Sequence, residues 1–364
     1  MRVGAFVLAA QFPGQGHAEA LHRAVRSAEV AEEAGLDAVW LAEHHFVPYG
    51  VCPSAVTLAA LLLGRTRRIG VGTAVSVLPT THPVTLGEQA ALLHLVSGGR
   101  FTLGVGRGGP WVDLEVFGPG LEAYEEGFPE SLELLMRWLR EPRVGARGER
   151  FRFREVPVVP RPDDLLDVPG PPVVVACTSP ASVRLAAARG LPILLGMHSP
   201  DDEKAEMVAL WRRCALEAGH APESVAAAGH VAAGVVQIAD RDDDAAETLL
   251  KAMPGWLHHG LSAHVTVDGR TRRMRDPLAY TELLCGLHPV GTPRRCADRL
   301  AATAERTGIS RFALLAEGSG DLAGTEENLR RLGSDVLPLL APPAAAAPSS
   351  VAPVVPRSGS TGCL

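Results

Sequence analysis

Glu43, His44 and His45 are the side chains of this sequence best placed to do chemistry, because they directly follow the apolar run that ends at Ala42. Such a run is typical of a buried strand. A strand tip holds reactive groups in place, while the following loop leaves them accessible. Imidazole titrates near neutral pH, so a histidine here suits general acid–base chemistry. A metal site is disfavoured, since the chain has no HxH or HExxH pattern and no acidic cluster at ligand spacing.

The two histidines are expected to differ in role. Neighbouring residues of an extended chain point to opposite faces, so at most one of them should face a cavity mouth directly. A structural role is expected for one of the pair. Glu43 stays open between a pocket residue and a side chain that supports the histidines.

A glycine-rich segment, GVGRGGP at 104–110, surrounds Arg107. Glycines let a ligand approach the backbone, and a guanidinium can hold an anion such as phosphate through paired hydrogen bonds. The alternative is a glycine-rich turn that carries a surface arginine. The segment is not a P-loop, because no GKS or GKT follows, and it lacks the dinucleotide GxGxxG pattern.

A second candidate anion site precedes Pro180, which favours the first turn of a helix. The helix N-terminus and the hydroxyls of Thr178, Ser179 and Ser182 could hold an anion. The alternative is that these hydroxyls only cap the helix. Phosphate sites of barrels usually combine later strand ends with a helix N-terminus. Together with Arg107, the segment therefore indicates a phosphorylated cofactor.

The elements that must position these residues are eight strand–helix units. The predicted strands are RVGAFVLAA, LDAVWLA, RIGVGTAVSVL, RFTLGVGRG, PPVVVACT, LPILLG, VAAGVVQIA and RFALLAE. The predicted helices span about 17–34, 53–63, 84–96, 122–139, 180–189, 201–218, 240–253 and 325–340. Near-continuous apolar strands require a sheet covered by helices. Eight successive units favour a (β/α)₈ TIM barrel, with an open doubly wound sheet as the main rival.

In a barrel, chemistry lies at the C-terminal strand ends. Besides Glu43, His44 and His45, the residues at these ends are Thr73, Ala74, Val75, Ser76, Gly106, Arg107, Gly108, Cys177, Thr178, Ser179, Gly196, Met197 and His198.

Two segments interrupt the alternation, at about 142–172 and 253–293, and long excursions of this kind are usually lids or binding loops. The first contains ERFRFREV, which alternates like an exposed hairpin strand. In the second, His258 and His259 are either lid residues or solvated helix residues, and we favour the latter. The Pro/Ala/Ser-rich tail at 341–364, which contains Cys363, is expected to be disordered.

Composition restricts the function classes. The chain has 364 residues and a formal net charge of -6, without a Lys/Arg-rich run, so nothing predicts nucleic-acid binding. No apolar run reaches the ~18 residues of a membrane span, and the N-terminal segment fits a first buried strand better than a signal peptide. The six cysteines form no CxxC pair, which is typical of reduced thiols in a cytoplasmic protein.

Several ordered blocks resemble the bacterial luciferase-like flavin-dependent monooxygenases, the luciferase α subunit among them. They are AEHHF, GTAVSVLPTTHPV, SGGRFTLGVGRG, VFG, PVVVACTSPASVRLAAARGLPILL and VGTPRRCADRL. The resemblance covers about residues 1–340, a single barrel domain. It implies a (β/α)₈ fold that binds reduced FMN at the strand C-termini, with a mobile lid at 253–293.

The resemblance also implies roles for individual residues. His44 matches a functionally important histidine near the reactive edge of the flavin, while His45 is expected to position the loop or line the pocket. Ala74 and Val75 match a pair joined by a non-prolyl cis peptide beneath the flavin ring. The expected cofactor-binding set is Glu43, Ala74, Val75, Gly106, Arg107, Cys177, Thr178, Ser179 and Ser182. The expected substrate or lid set is His45, Met197, His198 and His258.

Two positions depart from the resemblance. The luciferase subunit has a cysteine where Gly106 stands, so flavin reactivity at that face is expected to differ. A second phosphate-binding arginine is replaced in EAYEEGF by Glu125 or a neighbour. A carboxylate cannot substitute for that cation, which weakens the expected phosphate shell.

The implied activity is that of a two-component monooxygenase. A separate NAD(P)H:flavin reductase would supply FMNH2, and O2 would be activated as a flavin 4a-hydroperoxide that oxygenates a lipophilic organic substrate, such as a polyketide-like intermediate of secondary metabolism. The alternatives are a deazaflavin-dependent oxidoreductase of the same superfamily and a non-catalytic flavin-binding barrel. The resemblance further implies a homodimer, and nothing in it predicts light emission.

Overall fold

Eight parallel strands close into a barrel in the computed structural model, which describes residues 1–164, 170–270 and 275–340. They are β1 (Arg2–Val7), β2 (Ala38–Leu41), β3 (Gly70–Thr73), β4 (Phe101–Gly106), β5 (Val173–Cys177), β6 (Ile193–Leu195), β7 (Val231–Val235) and β8 (Arg311–Leu315). Each strand pairs with the next along the chain, and β8 pairs with β1. The predicted barrel is therefore confirmed, and an open sheet is excluded because it would leave two strand edges unpaired.

Helices surround the barrel. The longer ones are α1 (His17–Glu33), α2 (Ala55–Arg65), α3 (Pro83–Val96), α4 (Phe128–Arg140), α5 (Pro180–Ala188), α6 (Asp201–Glu217), α7 (Asp242–Ser262), α8 (Pro277–Leu287), α9 (Pro293–Thr307) and α10 (Leu322–Arg331). Short helices span Leu78–Thr80, Asp113–Val116, Gly120–Glu125, Pro222–Ala226, Glu317–Ser319, Leu332–Val336 and Leu337–Leu340. Short strands span Ser76–Val77, Arg143–Arg147, Arg152–Pro157, Gln237–Ile238 and Val290–Gly291. Local sequence explains the end of α1: Gly35 directly follows its C-cap residue and has φ 78°, in the left-handed region that glycine favours.

Strand residues alternate between two apolar layers. On β5, Val173, Val175 and Cys177 pack outward against the helices. Val174 and Ala176 belong to the cluster that fills the barrel interior. Successive side chains of a strand point to opposite faces. This alternation decides which residues at a strand end can reach a cavity at the barrel mouth.

A buried ion pair joins α1 to the end of β8. Arg23 and Glu317 are each 1% exposed, with Nε and Oε1 3.5 Å apart. The other oxygen of Glu317 accepts a hydrogen bond from the Leu8 N–H at 2.8 Å. Arg23 donates to the carbonyl oxygens of Ala10 and Gly320. The pair thus connects the segments that follow β1 and β8, where the barrel closes.

Two helix predictions need correction. The helix predicted at 122–139 is two helices, Gly120–Glu125 and α4, because the backbone leaves the helical region at Glu126, with φ -124°. Gly127 follows, and glycine weakens a helix interior. The helix predicted at 325–340 instead begins at Leu322, at a cap made by the side chain of Asp321, and passes through a π-helical turn at Leu332–Val336.

The two predicted interruptions also differ from each other. In the first, Arg143–Arg147 pairs antiparallel with Arg152–Pro157, so the predicted hairpin is confirmed. The second is largely helical: α7 continues through Pro254 to Ser262, because Met253, Trp256 and Leu257 form a buried apolar face. Residues 165–169, 271–274 and the tail at 341–364 lie outside the described residues.

Candidate active site

A cavity of about 370 Å³ opens at the C-terminal ends of the barrel strands. Its volume falls within the range of small-molecule sites. The predicted site residues that line it are Glu43, His44, His45, Ala74, Val75, Met197 and His198. The barrel therefore brings together the ends of β2, β3 and β6, which are far apart in sequence.

His44 presents a neutral imidazole to this cavity. Its ring lies edge-on to Tyr49, with the ring centroids 5.1 Å apart. Its Nδ1 atom is buried and has no hydrogen-bond partner among the described residues. Burial first, and then the neighbouring His264 and His45, lower the pKa of His44 to about 3. The ring is therefore uncharged near pH 7 and can accept a hydrogen bond or a proton.

Glu43 both lines the cavity and supports the loops around it. Its Oε2 atom accepts a hydrogen bond from the Ala55 N–H at 3.0 Å, at the first turn of α2. Its Oε1 atom accepts one from the Val77 N–H at 3.0 Å, beyond the end of β3. One carboxylate thus fixes the loop after β2 relative to the loop after β3. Glu43 is therefore both a pocket residue and a supporting side chain, the two roles that the sequence left open.

His45 also lines the cavity, so the expectation that at most one histidine faces it was wrong. The reason is that β2 ends at Leu41, so the alternation of an extended strand no longer applies. The His45 Nε2 atom lies 3.7 Å from Oε1 of Glu43. Its ring packs edge-on against Phe117, with the centroids 4.9 Å apart. His45 therefore both holds the loop and forms part of the wall.

Ala74 and Val75 form an apolar side of the cavity, and the peptide bond between them is cis, as the resemblance implies. Val75 also covers Gly106. A Cβ atom at position 106 would lie only 2.6 Å from a methyl carbon of Val75. Gly106 consequently does not line the cavity, whereas Gly108 and Gly109 do. Val75 occupies the space into which a cysteine at position 106 would project.

The candidate anion site is only partly available for a ligand. The hydroxyls of Ser179 and Ser182 form a capping box at the start of α5, which is the alternative that the sequence left open. Thr178 is exposed directly after the end of β5. Arg107 is exposed, with its guanidinium carbon 4.2 Å from the ring centroid of Tyr124. Thr178 and Arg107 therefore stay free to meet a ligand, while the two serines primarily hold the helix end.

Like Gly106, Arg107, Thr178, Ser179 and Ser182, the predicted site residues Cys177 and His258 do not line the cavity. Cys177 is buried in the outer layer, where its Sγ–H donates to the Val175 carbonyl oxygen at 3.5 Å, and burial raises its pKa to about 12. Strand alternation turns it towards the helices, so it cannot contact a ligand at the barrel mouth. His258 lies on the exposed face of α7, as does His259, in agreement with the solvated-helix alternative and not with a place in the pocket.

Sequence reasoning missed a second group of cavity residues, from the loops after β2 and β4 and the segment around α7 and α8. These are Tyr49, Trp111, Asp113, His264 and Tyr280. The segments at 110–112 and 265–267 meet through backbone hydrogen bonds and a bridge between Trp111 and Thr266. The Trp111 and His264 rings lie 4.6 Å apart. No spacing motif links these residues, because long-range backbone pairing brings them together.

Asp113 adds an ionisable carboxyl to the missed group. Burial raises its pKa, although a charge on His45 would lower it. His264 is itself shifted towards the neutral form, because burial lowers its pKa. The cavity therefore combines two imidazoles that favour the neutral form, those of His44 and His264, with the Asp113 carboxyl, which holds its proton more tightly than an exposed aspartate.

A larger outer chamber of about 1010 Å³ adjoins the cavity. His44, Tyr49, Trp111, His198, His264 and Tyr280 line both spaces. Thr178, Arg270 and Arg275 line only the chamber. The site is thus a narrow inner cavity beneath a wider, basic entrance.

Two further observations concern the described residues alone. They contain no group of three or more His, Cys, Asp or Glu side chains that could hold a metal ion. None of their helices combines the length and apolar character that a membrane span requires.

Comparison with known proteins gives one consistent family. The family described as luciferase-like monooxygenase matches residues 1–311. A curated relative, the alkanal monooxygenase alpha chain of Photorhabdus luminescens, is 30% identical over 357 residues, which cover 93% of this chain and 98% of the relative.

Three solved structures share the fold. Monooxygenase RslO1 from Streptomyces bottropensis is 24% identical, with a TM-score of 0.79, and covers 94% of this chain and 100% of its own. The oxygenating constituent of 3,6-diketocamphane monooxygenase from Pseudomonas putida, in complex with FMN, is 21% identical, with a TM-score of 0.71 and coverages of 93% and 98%. An F420-dependent secondary alcohol dehydrogenase with an F420–acetone adduct is 17% identical, with a TM-score of 0.73 and coverages of 94% and 99%.

Proposed function

The chain belongs to the luciferase-like monooxygenases, and from that premise we propose that it is a two-component oxygenase that uses reduced FMN and O2 to oxygenate a lipophilic organic molecule. The observation that carries this proposal is the cavity at the barrel mouth. There the neutral ring of His44 and the apolar pair Ala74–Val75 line one space, and Arg107 and Thr178 lie at the neighbouring strand ends.

The residues present fit a flat, apolar ring system with an anionic tail. Three glycines, Gly108, Gly109 and Gly196, line the cavity, and a Cβ atom at Gly109 would collide with the Trp111 ring. Two nitrogens of cavity-lining rings, Nδ1 of His44 and Nε2 of His45, are buried without a hydrogen-bond partner among the described residues. A buried polar atom without a partner costs about 1–3 kcal/mol, so such a cluster is typical of a site that a ligand or water completes.

When bound, the flavin supplies the oxidation chemistry by reacting with O2. The protein contributes position, dryness and a proton acceptor. Ala74 and Val75 would support the ring, while Arg107 and Thr178 would hold the phosphate. His44, kept neutral by burial, accepts a hydrogen bond or a proton at a ring nitrogen from the substrate or the cofactor. Trp111 and His264, whose rings contact each other and line both the cavity and the outer chamber, would limit the entry of water.

The substrate is proposed to be neutral and lipophilic, such as an intermediate of secondary metabolism. The apolar members of the cavity wall support this class, among them Phe6, Leu8, Leu194 and Met197. Hydroxylation, epoxidation and Baeyer–Villiger oxygenation are all compatible with the same wall.

Stopped-flow absorbance tests the proposal. The complex with reduced FMN, mixed with O2, should show a transient flavin species distinct from both the reduced and the oxidised spectra. His44→Ala should keep FMN affinity within about twofold and slow product formation by roughly 10²–10⁴-fold, the usual contribution of a positioned acid or base. His22→Ala, an exposed histidine on α1, is the matched control. Direct reoxidation without a transient species, or full turnover by the His44 variant, would count against the proposal.

A second candidate is hydride transfer with a reduced deazaflavin. The structural likeness to the F420-dependent dehydrogenase supports it, because the same fold serves that cofactor. Turnover under strictly anaerobic conditions with reduced F420, and none with reduced FMN and O2, would favour this candidate. A flavin-binding barrel without catalysis would bind flavin tightly and give neither product.

Partners belong to the same proposal. A separate NAD(P)H:flavin reductase would supply the reduced cofactor. Leu61 of α2 and Leu92 and Val96 of α3 are 47%, 53% and 70% exposed, and such an apolar surface supports a homodimer. Light scattering would test this, since a monomeric mass would exclude it. The five cysteines of the described residues are free, which supports a reducing, cytoplasmic location.

A further inference from the structure

A row of rings lines the passage from the outer chamber to the inner cavity. The rings of Trp111 and His264 contact each other, with their centroids 4.6 Å apart. The ring of Tyr49 lies 6.2 Å from that of His264 and 5.1 Å from that of His44. All four residues line both spaces, as does Tyr280. The row therefore leads from the entrance to the imidazole that is proposed to accept a proton.

Aliphatic side chains are distributed differently. Those that line the inner cavity but not the chamber include Leu8, Ala74, Val75, Val77, Leu194 and Met197. Among the described residues that line the chamber, Leu261 is the only Leu, Ile, Val or Met. The wall beside the proposed flavin position is thus aliphatic, whereas the passage above it is aromatic.

The chain concentrates its rare aromatic residues at this passage. Phe, Trp and Tyr together make up only 5% of the sequence, and tyrosine occurs three times. Two of these three, Tyr49 and Tyr280, line both spaces, and so does Trp111. An average surface of this chain would not gather them, so the concentration indicates a ligand that contacts rings.

The row is packed closely from behind. The ring of Tyr49 stacks on Trp256, with the centroids 4.9 Å apart and the planes at 10°. The indole N–H of Trp256 donates to the Tyr49 carbonyl oxygen at 3.0 Å. A Cβ atom on Gly260 of α7 would lie only 2.7 Å from Cα of Tyr49. Trp111 is held by its backbone bridge to Thr266. Rings that are already in place lose little freedom when a ligand stacks on them, which favours binding.

The ligand class follows from the chemistry of these walls. Aromatic rings gain affinity from offset-stacked and edge-to-face contacts with other rings, beyond the gain from buried area, and a saturated chain makes no such contacts. On the basis of the proposed function, which sets the flavin against Ala74 and Val75, we propose that the substrate is a flat aromatic ring system that stacks along Trp111, His264 and Tyr49. This class is narrower than lipophilic molecules in general and excludes a long alkyl chain.

Binding of a matched pair of probes tests this class. β-Naphthol and its fully saturated analogue, decahydro-β-naphthol, share a carbon skeleton and a hydroxyl group and differ in aromaticity. The saturated probe is at least as apolar, so burial alone would give equal affinities or favour that probe. Isothermal titration calorimetry of the protein saturated with oxidised FMN should show about tenfold tighter binding of the aromatic probe, the scale of stacking on one or two rings.

Variants of the row locate the preference. Trp111→Leu keeps an apolar side chain without a ring and should reduce the ratio of the two affinities by about threefold or more, whereas Trp111→Phe should largely retain it. Tyr280→Leu, on α8, is an independent second test in case Trp111→Leu alters the packing of its own segment. Phe151→Leu is the matched control, because Phe151 packs against His82 and lines neither space.

The outcomes separate this inference from the proposed function. Equal affinities of the wild type for the two probes, tighter binding of the saturated probe, or binding of neither would overturn the inference alone. A ratio that both Trp111→Leu and Tyr280→Leu leave unchanged would also overturn it, and a loss of FMN affinity in these variants would then show that the row stacks on the cofactor. A wild type that does not bind FMN would refute the proposed function, and the probe ratio of the flavin-free protein would then decide the aromatic assignment by itself.

Discussion

Replacement of Gly106 by alanine tests whether Val75 fills the space beside the end of β4. The added Cβ atom would lie 2.6 Å from a methyl carbon of Val75 and 3.5 Å from Cβ of Ala176. Such overpacking typically costs about 1–3 kcal/mol. The loss of glycine's freedom in the unfolded chain offsets about 0.4–1 kcal/mol of this cost. We therefore expect Gly106→Ala to lower the free energy of unfolding by roughly 1–2 kcal/mol.

A double-mutant cycle isolates the contact. Val75→Ala removes the colliding methyl groups and, at a half-buried position, should cost about 1 kcal/mol on its own. In the double variant the collision is absent, so the two substitutions should cost about 1–3 kcal/mol less together than the sum of the single losses. The free energies come from urea unfolding followed by circular dichroism.

A glycine without neighbours serves as the control. An added Cβ atom at Gly286, an exposed position on α8, would meet nothing within 4 Å. Gly286→Ala should therefore stabilise the protein by about 0.5–1 kcal/mol, the usual gain for alanine in a helix. The steric argument is refuted if Gly106→Ala is as stable as the wild type, or if its loss and that of Val75→Ala simply add.

Two further predictions concern buried ionisable side chains. Arg23→Ala should lower the free energy of unfolding by roughly 3–5 kcal/mol in urea, because it leaves the buried Glu317 carboxyl without its cation; a loss below 1 kcal/mol would show that the pair contributes little. His288, whose ring Nε2 lies 2.6 Å from the Met197 carbonyl oxygen, has its pKa lowered to about 4, first by burial and then by Lys204. The imidazole of His288 takes up a proton near pH 6.5 in the unfolded chain but only near pH 4 in the folded protein. The free energy of unfolding is therefore unaffected by His288 above pH 6.5 and decreases as the pH falls from 6.5 towards 4. Between pH 6.5 and 4, the free energy of unfolding of His288→Gln should therefore fall less steeply than that of the wild type, by up to about 1.4 kcal/mol per pH unit. Urea unfolding at several pH values measures both slopes, and equal slopes would contradict the assignment.

Local patterns predicted the elements well where one signal dominates. The end of α1 before Gly35 and the start of α5 at Pro180 both follow from local backbone preferences, which the sequence displays directly. The helix predicted at 122–139 failed at Glu126 and Gly127 because its apolar period continues across the break. The second half of α7 was missed because Pro254 is tolerated within a helix that tertiary packing stabilises.

Prediction of the site residues also succeeded where local sequence decides and failed where long-range packing decides. Strand-end reasoning found Glu43, His44 and His45, since parallel strands of a barrel all end at the same face. It wrongly included Cys177, because one residue of register decides whether a side chain points to the helices or to the cavity. It missed Trp111 and His264, whose meeting depends on backbone pairing between two loops that are distant in sequence.

The sequence by itself determined the eight strand–helix units and the residue types at the strand ends, because hydrophobic period and turn chemistry are local properties, and it favoured a barrel over an open sheet. Only the tertiary structure decided which of those side chains share a space. It turned Cys177 outward, brought His45 beside His44 and placed Val75 over Gly106. Each of these outcomes depends on the packing of segments that are separated by many residues, and such packing leaves no pattern in the order of the residues.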